Sequence, residues 1–131
     1  MQFKISVLLG GAMTHDKVSV FSEVTSPGSG PPLHSHVAQI EIFHVIKGRH
    51  KFVLNEKEMV AVPGDCILIP VGAAHTFQNI DSDEGLLHFE LLPSGSSEEF
   101  FTRLVADHAS IADMPAFFQE HGLELLGPPL S

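Results

Sequence analysis

Two closely spaced histidines, a glutamate and a distant third histidine are the residues of this chain best placed to do chemistry. His34 and His36 stand two apart, so on an extended strand both imidazoles project to one face. Glu41 opens the next strand pattern. His75 follows Pro70-Val71-Gly72, a run that can turn the chain and aim the imidazole back. Three imidazoles and one carboxylate form a nitrogen and oxygen donor set without thiolate, suited to a divalent first-row ion. A lone histidine is usually satisfied separately inside a core. An ionised carboxylate in an apolar interior, however, is strongly disfavoured unless paired or coordinated, and no Lys or Arg flanks these positions.

The elements that must position these groups are mostly strands. Phe3, Ile5, Val7 and Leu9 alternate with Gln2, Lys4 and Ser6, a period of two. Val18, Val20 and Val24 continue in a second strand, and Ser26 to Pro32 carries the Pro and Gly of a loop. Strand sequence returns from Ile40 to Ile46, turns at Lys47-Gly48 and runs on to Leu54. Asn55 to Glu58 reads as a hairpin turn, followed by short strands at Met59–Val62, Cys66–Ile69, His75–Asn79 and Leu86–Leu91. Many short strands with Gly- and Pro-rich turns predict an all-β sandwich or closed barrel.

The tail changes character. Ser96 and Glu99 have capping-box spacing before Phe100, Phe101, Leu104 and Val105, which form a helical stripe. Asp113 can cap a second helix, with Pro115 in its first turn and Gly122 at its end. These helices are expected to lay their Phe faces on the outside of the barrel, leaving His108 and His121 solvated near the helix ends.

Length and composition bound the possibilities. The chain has 131 residues, is 44% hydrophobic and contains 10 Phe without Trp or Tyr, enough for one domain with a Phe-packed core. A formal charge of −9 argues against nucleic acid, whose binding rests on clustered Lys and Arg, and against an anionic membrane surface. No apolar stretch approaches the ~20 residues of a membrane span. The run Ser6 to Ala12 reads as a strand rather than a signal peptide, which predicts a cytoplasmic protein. Cys66 is the single cysteine, so there is no intrachain disulfide, and it is expected as a small buried hydrophobe.

Two blocks of this sequence closely resemble the cupin superfamily. The first reads Gly28, five residues, His34-Ser35-His36, four residues, Glu41, six residues, Gly48. The second reads Gly64, five residues, Pro70-Val71-Gly72, two residues, His75, three residues, Asn79. The resemblance covers about residues 15–92 and implies a jelly-roll β-barrel that holds one divalent metal ion on His34, His36, Glu41 and His75. It implies a single cupin domain over residues 1–131, with the barrel at about 1–93 and a helical segment at about 96–131. Homodimers are common among cupins of this length, and the Phe3 to Leu9 strand offers a pairing edge. Four ligands on an octahedral ion leave two adjacent positions for a chelating substrate or for substrate plus dioxygen; Fe(II), Mn(II), Ni(II), Cu(II) and Zn(II) are all compatible.

Alternation from the ligands predicts the surroundings. Phe43 lies two beyond Glu41 and Phe77 two beyond His75, so both are expected to line the pocket, along with Gln39. Gln39, Asn79 and backbone carbonyls are candidate partners for the second ring nitrogens of the histidines. Lys47, Arg49 and Lys51 are expected outside, opposite Phe52, which weakens the case for a phosphorylated substrate. His44 should point away from the pocket, and His50 should lie at the barrel end remote from the ion. His88 and Glu90 alternate with Leu87, Phe89 and Leu91; apolar-in phasing puts them in solvent, while the reverse would supply an acid/base pair near the ion.

The whole chain is similar to bacterial single-domain cupins of the quercetin dioxygenase type. That likeness implies a metal-dependent dioxygenase acting on a small flavonol- or diketone-like molecule, with Glu41 able to serve as a catalytic base. The alternatives are a metal-dependent isomerase or lyase of a small sugar or keto acid, and a non-catalytic ligand-binding barrel. The absence of Tyr excludes an epimerase that needs a tyrosine acid.

Overall fold

The computed structural model describes residues 4–131, in which ten strands are interrupted late by two helices. Gln2 and Phe3, assigned to the first strand from sequence, lie outside the described residues. The strands are β1 (Ile5–Leu9), β2 (Ser19–Thr25), β3 (Leu33–His36), β4 (Ile40–Lys47), β5 (His50–Leu54), β6 (Lys57–Ala61), β7 (Cys66–Ile69), β8 (His75–Asn79) and β9 (Gly85–Leu92). Then follow α1 (Ser97–Asp107), α2 (Met114–Glu120) and β10 (Leu123–Gly127). Among the described residues, no helix is long and apolar enough to cross a membrane.

The strands form two five-stranded sheets, ordered β1-β2-β9-β4-β7 and β10-β3-β8-β5-β6, with antiparallel pairing throughout. This is a jelly roll, and its core is a seam of phenylalanines from both sheets. Phe43 packs 5.2 Å from Phe52, 5.5 Å from Phe77 and 5.4 Å from Phe89, while Phe89 stacks on Phe21 at 5.1 Å. Each ring buried in this way contributes roughly 1.5–3 kcal/mol through removal of apolar area from water. The turns obey backbone sterics at the expected places: Gly48 links β4 to β5 with φ +87°, a conformation L side chains rarely adopt.

Several expectations need correction. On β2 the inward residues are Ser19, Phe21, Glu23 and Thr25, whereas Val24 is exposed; the larger Phe21 claims the core position opposite Phe89. Cys66 is exposed rather than buried, because Ile67 and Ile69 occupy the inner face of β7. Ser96 precedes α1 without a side-chain cap, although Asp113 does cap α2, its Oδ1 accepting from the Ala116 N–H at 3.0 Å. The tail is not helical to its end: β10 pairs with β3 and makes it an interior strand.

The helices do not simply coat the outside of the barrel. Phe101 reaches 4.8 Å from Phe21 and 5.2 Å from Phe89, so the apolar face of α1 closes one end of the space between the sheets. His121 is buried rather than solvated: its Nδ1–H donates to the Phe117 carbonyl at 2.9 Å, and its ring lies against Phe117 and Phe100. His108 is half-buried beside the cavity that the helices roof.

Candidate metal centre

Strand register brings four residues from two sheets to one point. His34 and His36 lie on the inner face of β3, and His34 pairs directly with His75 on β8. The Pro70 to Gly72 turn is tied to the same strand, the Gly72 N–H donating to the His36 carbonyl at 2.9 Å. Glu41 comes from the opposite sheet, between Ile69 and Leu91 on neighbouring strands. All four side chains are buried, and one ligand atom from each lies within 4.8 Å of those of the others.

Backbone carbonyls, rather than Gln39 or Asn79, fix the imidazoles. The Nδ1–H of His34 donates to the Pro32 carbonyl at 2.7 Å, and that of His75 to the Ala73 carbonyl at 2.9 Å. A carbonyl can only accept, so in the neutral rings each Nε2 is left with a lone pair. The Nε2 of His75 nevertheless lies 2.9 Å from Glu41 Oε1, and that of His36 lies 3.2 Å from the same oxygen. A neutral His75 would therefore set a lone pair against a carboxylate, and His36 has no aligned hydrogen-bond partner at either ring nitrogen. A divalent cation among these atoms resolves both conflicts, so the donor set fits a metal.

The electrostatics agree with that fit. Burial holds His34 in the neutral, ligating form, its pKa pushed down to about 3 with help from His75 and His36. Burial opposes ionisation of Glu41, yet the nearby positive charge that His36 and His75 can carry, with the hydrogen bond from His75, overcomes it and holds the carboxyl well below the usual range. Glu41 is thus held as an anion among the imidazoles, as a metal ligand requires.

A cavity of about 390 Å³ opens beside His34 and Glu41. Phe43 and Phe77 line it, as do Phe89, Phe100, Phe101 and Phe118. Gln39 does not: its amide donates to the Pro93 and Ser94 carbonyls, both at 2.8 Å, and is spent on that turn. Asn79 is also remote, binding Thr25 and the Asp83 carbonyl. His50 packs at the far end of β5, its Nε2 2.8 Å from Thr25 Oγ1. His88 and Glu90 face outward, and Glu90 instead pairs with the outward His44 at 2.8 Å. Sequence reasoning missed two polar groups on the cavity wall, His108, which it placed in solvent, and Glu23 of β2; for Glu23, the two-residue spacing from Phe21 was the available signal.

Residues 21–91 match the family described as the cupin domain. The chain belongs to the cupin family. This cupin is 28% identical over 79 residues to an oxalate-binding protein of Thermotoga maritima, covering 60% of this chain and 65% of the relative. An uncharacterized protein of Methanocaldococcus jannaschii is 31% identical over 64 residues, covering 49% and 51%. The chain thus spans less than two thirds of the length of these curated relatives. Among solved structures, a predicted oxalate decarboxylase from Thermotoga maritima superimposes with TM-score 0.66 at 23% identity, over 68% of this chain and 78% of that one. KdgF from Halomonas gives TM-score 0.65 at 16% identity, over 73% and 84%. These two structural likenesses establish the fold alone.

Proposed function

We propose that this cupin is a metal-dependent dioxygenase for a small, flat, largely apolar molecule that chelates the ion, such as a flavonol or diketone. The observation that carries the reading is the wall of the cavity: among its described lining residues, Phe predominates and no Lys or Arg occurs. A dianion such as oxalate, or a phosphorylated sugar, would find there only the bound ion, already partly neutralised by Glu41, with no Lys or Arg to balance its remaining charge after it loses its hydration. A planar aromatic substrate would instead gain contact with the rings of Phe43, Phe77 and Phe118.

When bound, a divalent ion on His34, His36, Glu41 and His75 would act as a Lewis acid and, if redox-active, support reaction with dioxygen. The Pro32 and Ala73 carbonyls keep the Nε2 lone pairs of His34 and His75 directed inward. Phe43 and Phe77 exclude water and orient the substrate plane. Glu41, held ionised within the site, would accept the proton of an enol or hydroxyl on detaching from the ion.

The test is oxygen uptake by metal-reconstituted protein with a panel of flavonols and β-diketones. The reading requires uptake that depends on both metal and substrate, with both oxygen atoms recovered in product. Metal-dependent product formation without oxygen uptake would make the protein an isomerase or lyase instead.

A further inference from the structure

The inner face of β2 carries three polar residues, and the protein satisfies only two of them. Ser19 Oγ shares a 2.6 Å hydrogen bond with Ser97 Oγ, and Thr25 Oγ1 lies 2.8 Å from His50 Nε2. Between them Glu23 projects into the cavity with no hydrogen-bond or ion-pair partner among the described residues. It is not a member of the metal cluster. Glu23 pairs with Leu87 on β9, which pairs with Val45 on β4, whereas Glu41 lies at the other end of β4. Glu23 therefore stands on a different part of the cavity wall from the four ligands, though near enough to feel the charge of Glu41.

We propose that Glu23 recognises the far end of the substrate, forming a hydrogen bond to a hydroxyl on an aromatic ligand whose near end chelates the ion. This deepens the reading of the cavity as a substrate site and rests on it. An empty cavity lets water solvate the carboxyl. A ligand that fills the space with carbon alone strips that water and leaves a polar group unpaired, which is strongly unfavourable. A ligand hydroxyl removes the penalty, because it can donate to the carboxyl oxygen whether the acid is neutral or ionised. Burial, reinforced by the charge of Glu41, raises the Glu23 carboxyl to about 8, as befits an acid facing an apolar space. His34, Glu41 and His108 are the other titratable side chains on the cavity wall.

The experiment loads the full chain with Zn(II), which is redox-inert, and measures binding of matched probes to the parent, Glu23→Leu and Glu23→Gln. One set is unsubstituted flavonol and its derivatives with one added hydroxyl on either ring; the other pair is butylbenzene and para-butylphenol. In the parent, para-butylphenol and at least one hydroxylated flavonol should bind about tenfold more tightly than their counterparts. Glu23→Leu should abolish the preference at unchanged zinc content, and Glu23→Gln should keep much of it. Without ligand, Glu23→Leu should raise the melting temperature by roughly 2–5 °C, since it removes an unpaired acid from an apolar wall. Should flavonols fail while the phenol preference follows Glu23, the substrate reading falls and the role of Glu23 stands. Equal binding of both members of each set by the parent, failure of every probe to bind, a preference that survives in Glu23→Leu, or a lowered melting temperature would each overturn the proposal.

Discussion

His34 and His75 face one another as a cross-strand pair of β3 and β8, their ring centroids 4.4 Å apart. Cross-strand neighbours on one face lie at about 4.5–5.5 Å between Cβ atoms, so register alone brings two residues far apart in sequence within coordinating reach. His36 joins them because side chains alternate along β3. Only Glu41 must come from the facing sheet, which makes its carboxylate the link across the barrel.

Glu41→Gln keeps the size and one oxygen donor of the side chain but removes the charge. Metal affinity should fall by roughly 10–100-fold, the range seen when groups supporting a metal are perturbed. At saturating metal, turnover per bound ion should fall further, because added metal cannot replace the base. Equal turnover per ion in parent and variant would reduce Glu41 to a ligand.

Phe77 belongs both to the core and to the cavity wall. Phe77→Ala should cost about 3–5 kcal/mol of stability, read by denaturant unfolding, and Phe77→Leu considerably less. In Phe77→Leu the choice among flat ligands should shift more than metal content does. Loss of the metal from a folded Phe77→Leu protein would contradict the placement of Phe77 as wall rather than support.

The raised carboxyl of Glu23 predicts a pH dependence. Its pKa of about 8 in the fold lies above the ordinary 4.5, so the native state holds a proton that the unfolded chain releases. The contribution of Glu23 to stability is therefore fully present below about pH 4.5 and is lost as pH rises toward 8, with a slope of at most about 1.4 kcal/mol per pH unit. In metal-free protein, parent stability should decline relative to Glu23→Gln between pH 6 and 8. A constant difference between the two proteins across that range would show that Glu23 does not titrate there.

Gly30 lies before β3, and a Cβ placed on it would collide with the Phe77 carbonyl of β8. Backbone cannot step aside cheaply, so Gly30→Ala should destabilise by roughly 1–3 kcal/mol, as overpacking does. It should also loosen the loop that carries Pro32 and thus the acceptor for His34. Unchanged unfolding midpoint and metal affinity would show that the loop relaxes freely.

Local spacing made most strands and the α2 cap legible in the sequence, because each depends on residues close together in the chain, and two separate blocks of fixed spacing marked the four candidate ligands. What escaped depended on nonlocal pairing. Leu123–Gly127 is a strand only because β3 offers it a partner, and Gly122 had already read as the end of a helix. The phase of β2 is decided by the nonlocal packing of Phe21 on Phe89, and it turns Glu23 toward the cavity. Gln39 reads as a pocket residue from its position near Glu41, yet the Pro93-Ser94 turn, far along the chain, captures its amide.

Coordination at the four buried residues is the claim on which the rest depends, and a crystal structure of the metal-loaded protein tests it most directly. Anomalous scattering should reveal one ion per chain, with the Nε2 atoms of His34, His36 and His75 at about 2.0–2.2 Å and Glu41 oxygen completing the protein ligands. An ion bound elsewhere, or the three imidazoles turned toward different cavities in loaded protein, would contradict the account.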